Sequence, residues 1–138
     1  MAKWLMKSEP DVFSFDDLTA CGAKGHEWDN VRNYAARNNM RAMKLGDQAF
    51  FYHSNVGKEI VGIMEVCALS HPDSTAGDDA RWDCVDMRAI KPFPKPVTLE
   101  MIKAEPSLSA MVLVNNSRLS VQPVTDAEWA KITKMGGL

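Results

Sequence analysis

The pattern of apolar and polar residues along the chain predicts about five strands and four helices. Apolar residues alternate or run uninterrupted in the predicted strands, which cover residues 3–7, 48–53, 60–69, 82–90 and 119–124. In the predicted helices they recur with helical spacing, beginning near Ser14, Val31, Val97 and Thr125. Strands and helices do not alternate regularly, and no segment repeats. The pattern therefore favours an α+β protein built around a small, curved or barrel-like sheet.

Polar residues with capping chemistry mark the start of two of these helices. Asp17 follows Ser14, and Glu128 follows Thr125, at the spacing of a capping box. Proline cannot donate a hydrogen bond to a strand ladder. The sheet is therefore predicted to end at the alternating prolines Pro92, Pro94 and Pro96.

The second predicted helix, residues 31–43, combines an apolar and a cationic strip. The apolar strip faces inward and consists of Ala36, Met40 and Met43. The adjacent strip has the same spacing and consists of Arg37, Arg41 and Lys44. Together with Arg32 these residues form a local basic surface, since the segment 30–44 contains no carboxylate. The same pattern also fits an ordinary amphipathic helix with a solvated polar side.

Composition bounds the class of protein. The chain has 138 residues, 46% of them hydrophobic and 25% charged, which is typical of one globular domain over residues 1–138. A net charge of −2 argues against coating long nucleic acid by charge alone, but it leaves room for a pocket that holds one nucleotide. The first residues do not resemble a signal peptide, and no apolar run is long enough to span a membrane. We expect an intracellular, cytoplasmic monomer.

Neither a metal site nor an organic cofactor is expected. The histidines are widely spaced and the cysteines form no CxxC pair. Phosphate-loop and nucleophile-elbow motifs are absent. Lys7 and Glu9 flank Ser8 at the end of the first strand and would point the same way. They form either an acid–base pair or a solvent-facing ion pair.

Several polar and aromatic residues have the chemistry that a nucleotide pocket requires. Trp28 and Tyr34 offer flat faces for stacking. Amide side chains, which both donate and accept, surround them at Asn30, Asn33, Asn38 and Asn39. A predicted strand ends in Tyr52-His53-Ser54, and another places Arg118, Ser120 and Gln122 on one face. Each polar group could equally be ordinary solvent-facing surface.

Five segments in order resemble the EVE domain family. They are Trp4-Leu5-Met6-Lys7-Ser8-Glu9-Pro10, the run Trp28 to Asn38, Gly46-Asp47 through Ser54, Trp82 with Val85-Asp86, and Arg118 to Val124. The resemblance spans nearly the whole chain. It implies a PUA-like fold, a small mixed β pseudobarrel with surrounding helices, related to the YTH and ASCH domains.

The resemblance also implies a set of site residues. The implied base pocket consists of Lys7, Ser8, Glu9, Pro10, Trp28, Asn33, Tyr34, Tyr52, His53, Ser54, Arg118, Leu119, Ser120 and Gln122. The cations that would touch phosphate are Arg32, Arg37 and Arg41. Within the pocket, Trp28 is predicted to stack on the base. Asn33, Ser54 and the region of Ser120 and Gln122 are predicted to read its polar edges.

The function implied by the resemblance is non-catalytic binding of a modified base, chiefly a modified cytosine in DNA and alternatively modified RNA. A base swung out of its strand needs a stacking surface and hydrogen bonds in place of those it lost. One alternative is an amidohydrolase of the ASCH type that uses Lys7 and Glu9. Another is a protein-interaction module. A nuclease or restriction partner, known from fused relatives, is left open.

Overall fold

The computed structural model describes residues 1–138. Its strands are β1 (Lys3–Ser8), β2 (His26–Glu27), β3 (Gln48–His53), β4 (Glu59–Pro72), β5 (Asp83–Thr98) and β6 (Val121–Val124). Its helices are α1 (Phe15–Ala20), α2 (Tyr34–Ala42), α3 (Leu99–Ala104), α4 (Val112–Asn115) and α5 (Asp126–Met135). No helix is long and apolar enough to cross a membrane.

All six strands form one mixed sheet in the order β2-β5-β4-β3-β1-β6. The neighbouring strands β1 and β3 are parallel, and every other pair is antiparallel. This architecture confirms the predicted α+β class. Because β1 and β3 run in the same direction, Ser8 pairs with His53 and the two strands end side by side. The Ser54 N–H donates to the Ser8 carbonyl at 3.0 Å, which joins the two strand ends.

Helices cover both faces of the sheet. Successive strand residues point to opposite faces, so the buried runs of β1 and β3 supply two cores. Met6 and Phe51 belong to the core beneath α1 and α2, and Leu5 and Phe50 belong to the core beneath α3 to α5. This two-sided burial explains why these strands read as continuous apolar runs rather than as strict alternation.

The sheet does not end at the prolines, so that prediction is wrong. Strand β5 continues through them to Thr98. The pairing of β5 with β4 passes from Gly62–Pro92 to Ile60–Val97, so Pro94 and Pro96 fall where the ladder skips. Beyond Met87, β2 no longer pairs with β5, which leaves that edge free of ladder partners. A proline at a bulge or on an edge removes no ladder bond.

Helix boundaries follow their caps. Both predicted capping boxes, at Ser14 and at Thr125, are present. Helix α2 begins at Tyr34 rather than at Val31, because Asn33 is its N-cap and accepts a hydrogen bond from the Ala36 N–H at 2.9 Å. The residues before it are extended or left-handed, with Asn30 at φ 63°. Strand β6 likewise begins at Val121, two residues later than predicted.

Candidate functional site

A cleft of about 650 Å³ opens where the ends of β1 and β3 face the segment between β2 and α2. It contains seven of the residues predicted for the base pocket or for phosphate contact: Lys7, Ser8, Glu9, Trp28, Ser54, Ser120 and Arg32. The volume lies in the range of roughly 300–1,000 Å³ that is usual for small-ligand sites. The fold thus brings four distant segments of the predicted pocket together, around residues 7–9, 28–32, 54 and 120.

The strand ends form one wall of the cleft. The Lys7 ammonium donates to the Ser117 carbonyl at 2.8 Å, and burial lowers the pKa of Lys7. The Ser8 hydroxyl donates to the Phe13 carbonyl at 2.6 Å, which holds the turn after β1 against the strand. Lys7 and Glu9 line the same cleft but do not form an ion pair with each other.

The opposite wall is the segment 28–32, between β2 and α2. The Trp28 N–H donates to the Val85 carbonyl at 2.8 Å, which fixes the start of the segment on β5. Asn30 lies in the left-handed region, which asparagine tolerates better than most residues. Its backbone N–H donates to the Asp73 carboxylate at 2.8 Å. The wall is therefore held at both ends by hydrogen bonds to β5 and to the loop after β4.

Asp73 anchors this wall. Its carboxylate, 2% exposed, also accepts from the Arg32 guanidinium at 3.1 Å and from the Thr75 hydroxyl at 2.6 Å and N–H at 2.8 Å. Burial alone would raise the pKa of Asp73, but the hydrogen bonds from Thr75, Asn30 and Arg32 outweigh burial and lower it. Asp73 is therefore held as a carboxylate.

Asp29 is a half-buried carboxylate in the same wall. Its pKa is raised, first by burial and then by the neighbouring charges of Asp73 and Glu27, while His26 acts in the opposite direction. No lysine or arginine is among the groups that act on it. An uncompensated carboxylate with a raised pKa in a cleft is a candidate for ligand contact.

Aromatic surface in the cleft comes from Phe13, His26 and Trp28. Phe13 and His26 form a tilted pair with ring centroids 4.9 Å apart. Trp28 is only 5% exposed, because its ring packs edge-to-face on Phe51 at 5.2 Å. Trp28 therefore contributes mainly to the core beneath the cleft, and Phe13 presents the more accessible apolar surface.

Other predicted pocket residues lie outside the lining of the cleft. Tyr52 is buried in the opposite core, and burial raises its pKa. Gln122 is fully buried and donates to the Leu119 carbonyl at 2.8 Å, which corrects the prediction that it shares a polar face with Ser120. The residues that do not line the cleft are Pro10, Asn33, Tyr34, Tyr52, His53, Arg118, Leu119 and Gln122.

Two of these residues have structural roles instead. Asn33 caps α2, as described above. The His53 ring accepts a hydrogen bond from the Phe15 N–H at 3.2 Å, at the first turn of α1. Burial lowers the pKa of His53, which favours the neutral imidazole that this acceptor role requires. Polar side chains at strand and helix ends are thus used for capping rather than for lining the cleft.

Carboxylates from residues 73–83 neutralise two of the four cations of the predicted basic surface. Arg32 pairs with Asp73, and Arg41 pairs with Asp83 at 2.6 Å. Arg37 instead donates to the Arg81 carbonyl at 3.0 Å, and its guanidinium lies 4.8 Å from the centre of the Tyr34 ring. Arg37 and Arg41 lie outside the lining of the cleft.

One cluster of metal-ligating side chains adjoins the cleft. Donor atoms of Glu27, His71 and Cys84 lie within 4.8 Å of one another. However, Asp86 accepts from His71 Nε2 at 2.7 Å, and the Pro72 carbonyl faces Nδ1 at 3.1 Å. Burial lowers the pKa of His71, but these hydrogen bonds and the nearby carboxylates outweigh burial and raise it. His71 is thus placed as an ion-paired imidazolium, and the donor set does not favour a metal.

About half of the residues that line the cleft were not predicted from the sequence. The missed lining residues are Val12, Phe13, His26, Glu27, Asp29, Asn30, Val31 and Ser117. Asp29 and Asn30 lie inside the EVE-like run from Trp28 to Asn38, but neither was among the residues predicted to line the base pocket. For Ser117, no signal in the sequence indicated that its carbonyl meets Lys7 across 110 positions.

The fold and the cleft define an EVE-type domain, and comparison with known proteins supports this. The family model for the EVE domain matches residues 2–135, so the chain belongs to the EVE domain family. Mouse thymocyte nuclear protein 1 is 38% identical over 157 aligned positions, covering 91% of this chain and 70% of the mouse protein.

Solved structures agree closely. Protein Atu2648 from Agrobacterium tumefaciens matches with a TM-score of 0.99 and 59% identity, over 100% of this chain and 94% of that chain. Human THYN1, solved in complex with DNA containing 5-methylcytosine, matches with a TM-score of 0.93 and 34% identity, over 100% and 99% of the two chains. An ASCH protein from Zymomonas mobilis, at 9% identity and a TM-score of 0.62, shares the fold alone.

Proposed function

We propose that this protein binds DNA that carries a modified cytosine, holding the modified base in the cleft without chemically changing it. The observation that carries the proposal is the close match to human THYN1 in complex with 5-methylcytosine DNA, at a TM-score of 0.93. A cleft with both apolar and hydrogen-bonding walls supports it independently. Binding of modified RNA is the alternative, and the oligonucleotide titration below tests it.

The cleft has the chemistry that an everted base requires. A base outside the helix loses stacking and pairing, and the protein replaces both. Phe13 and the exposed edge of Trp28 offer apolar surface, while Lys7 donates and Asp29 accepts hydrogen bonds. A 5-methyl group packed on apolar surface adds about 1 kcal/mol. We therefore expect the protein to bind the methylated base roughly fivefold more tightly than the unmethylated base, without requiring the methyl group absolutely.

The proposed test fills the cleft without disturbing the core. Ser117 is exposed, and only its backbone carbonyl is used by Lys7, so Ser117→Trp places a bulky ring in the cleft. Ser109 is a matched control, because it is also exposed and its carbonyl likewise accepts a side-chain hydrogen bond, from Asn115. Each variant and the wild type are titrated by fluorescence anisotropy at stated salt against oligonucleotides.

The oligonucleotides carry cytosine, 5-methylcytosine, 5-hydroxymethylcytosine, adenine or N6-methyladenine, in DNA and in RNA, single-stranded and duplex. A preference for modified cytosine in DNA that Ser117→Trp abolishes and Ser109→Trp retains supports the proposal. No preference across the DNA panel, or tighter binding to the RNA panel, overturns it. Mass spectrometry of the recovered oligonucleotides tests the non-catalytic claim, since a mass change would overturn it.

A further inference from the structure

Asp29 is held rigidly in the cleft wall. Its neighbours in sequence are both anchored through their backbone amides, Trp28 to the Val85 carbonyl and Asn30 to the Asp73 carboxylate. A side chain between two fixed backbone positions is pre-organised for a ligand, which is what selective recognition requires. The carboxylate is half-buried and lines the cleft, so a ligand in the cleft can reach it.

The electrostatic surroundings of Asp29 favour a donor and disfavour an acceptor. Two further carboxylates, Glu27 and Asp73, and the ring of His26 are the titratable neighbours that act on it. Arg32 is the nearby arginine, and its guanidinium is engaged by Asp73 and Thr75. A ligand N–H group that approaches Asp29 therefore meets an acceptor without a counter-ion, whereas a ligand carbonyl oxygen meets negative charge.

We propose that Asp29 reads the exocyclic amino group of the bound base, so that the cleft accepts cytosine-type bases and rejects thymine-type bases. This inference rests on the proposed function. One carboxylate oxygen accepts an N–H of the 4-amino group, which is the usual acidic contact to cytosine. Thymine and uracil carry a carbonyl oxygen at the same ring position, and the carboxylate repels it.

5-Methylcytosine and thymine form a matched pair for testing this role. Both carry the 5-methyl group, and they differ only in the 4-substituent and in the proton at N3. The ratio of their dissociation constants, in one oligonucleotide context, therefore isolates recognition of the amino edge from packing of the methyl group. Cytosine and uracil provide the same comparison without the methyl group.

The test variant is Asp29→Asn, and Asp78→Asn is its control. Asparagine has the same shape as aspartate, but its amide presents an N–H donor to a carbonyl oxygen as well as an acceptor to an amino group. Asp78 is exposed, lies outside the cleft and undergoes the same change in charge. Thermal unfolding of both variants confirms that each remains folded.

We expect the wild type and Asp78→Asn to bind 5-methylcytosine about tenfold more tightly than thymine. We expect Asp29→Asn to reduce this ratio to within about threefold of unity, chiefly by binding thymine better. A wild-type ratio near unity, or an unchanged ratio in Asp29→Asn, overturns the inference and leaves the proposed function standing. Failure to bind any modified-cytosine oligonucleotide overturns both.

A second measurement needs no variant. The ionised carboxylate is the acceptor, and burial raises the pKa of Asp29. Selectivity for 5-methylcytosine over thymine should therefore be greatest near neutral pH and should decline as the pH falls through that raised pKa. The decline should be absent from Asp29→Asn. A wild-type ratio that stays constant down to the pH at which the protein unfolds contradicts the role of Asp29.

Discussion

At the scale of single residues, Asp73 determines the shape of the cleft without lining it. It is 2% exposed, and it connects Asn30, Arg32 and Thr75 through its two carboxylate oxygens. A buried acceptor with several donors is costly to weaken, because the donors lose their partner while remaining out of water. We therefore expect the segment 28–32 to depend on the charge of Asp73.

Asp73→Asn should lower the free energy of unfolding by about 1–3 kcal/mol at pH 7. The folded-state pKa of Asp73 lies below that of the unfolded chain, so its stabilisation is complete above the unfolded value of about 3.9. The stabilisation is lost as the pH falls through the lower folded-state pKa. Urea unfolding of wild type and variant should show a constant difference in stability from pH 7 to about 4 and a shrinking difference as the pH falls further. Parallel stability curves would contradict the role, and Asp78→Asn serves as the control.

At the scale of elements, boundaries decide which residues reach the cleft. The sequence pattern predicted the apolar strip of α2 correctly, since Ala36, Met40 and Met43 are all buried. It drew the start of the helix three residues early, because the cap at Asn33 competes with an equally plausible start at Val31. As a result, Val31 and Arg32 lie in the cleft wall rather than in the first turn of the helix.

Asn33→Ala should destabilise the protein by about 1 kcal/mol through loss of the α2 cap. Asn33→Ser should restore most of this stability, because serine is an equally good N-cap. Preference among bases should stay unchanged in both variants, since Asn33 does not line the cleft. Thermal or urea unfolding measures the first effect, and oligonucleotide titration measures the second. A changed base preference without a loss of stability would restore Asn33 as a base-reading residue.

The course of β5 could not be predicted from local sequence. Alternating prolines normally end a sheet, and here the ladder skips Pro94 and Pro96 instead. Asp73 and Asn30 are 43 positions apart, so their contact depends on the whole sheet bringing the two loops together. By contrast, the strand ends at Ser8 and Ser54 were identifiable, because each follows a clear apolar run before a polar stop.

At the scale of the whole molecule, charge pairing limits how strongly the protein attracts nucleic acid. The chain carries a net charge of −2, and Arg32, Arg41 and Arg81 are paired with carboxylates. Asp79, for example, has its pKa lowered to about 2, chiefly by hydrogen bonding to Arg81. Binding to DNA should therefore depend on contacts to the base more than on phosphate contacts.

Accordingly, the logarithm of the binding constant should fall with the logarithm of salt concentration with a slope of only about −1 to −2. Arg37 has no carboxylate partner, so Arg37→Gln should reduce the magnitude of the slope by about one. Lys134→Gln, which removes a charge from α5 on the other side of the sheet, should leave the slope unchanged. A slope steeper than about −4 would show that phosphate contacts dominate.

The most direct test of the central claim is a ¹H–¹⁵N NMR titration of the protein with an oligonucleotide that carries one 5-methylcytosine. We expect the changes in backbone amide chemical shift to concentrate at residues 7–9, residues 28–32, Ser54 and Ser120, which face the cleft. They should be weaker with unmodified cytosine at equal concentration. Chemical-shift changes that cluster instead around Gly57, Lys58, residues 98–100 and Lys103, which line a separate cleft, would contradict binding in the proposed cleft.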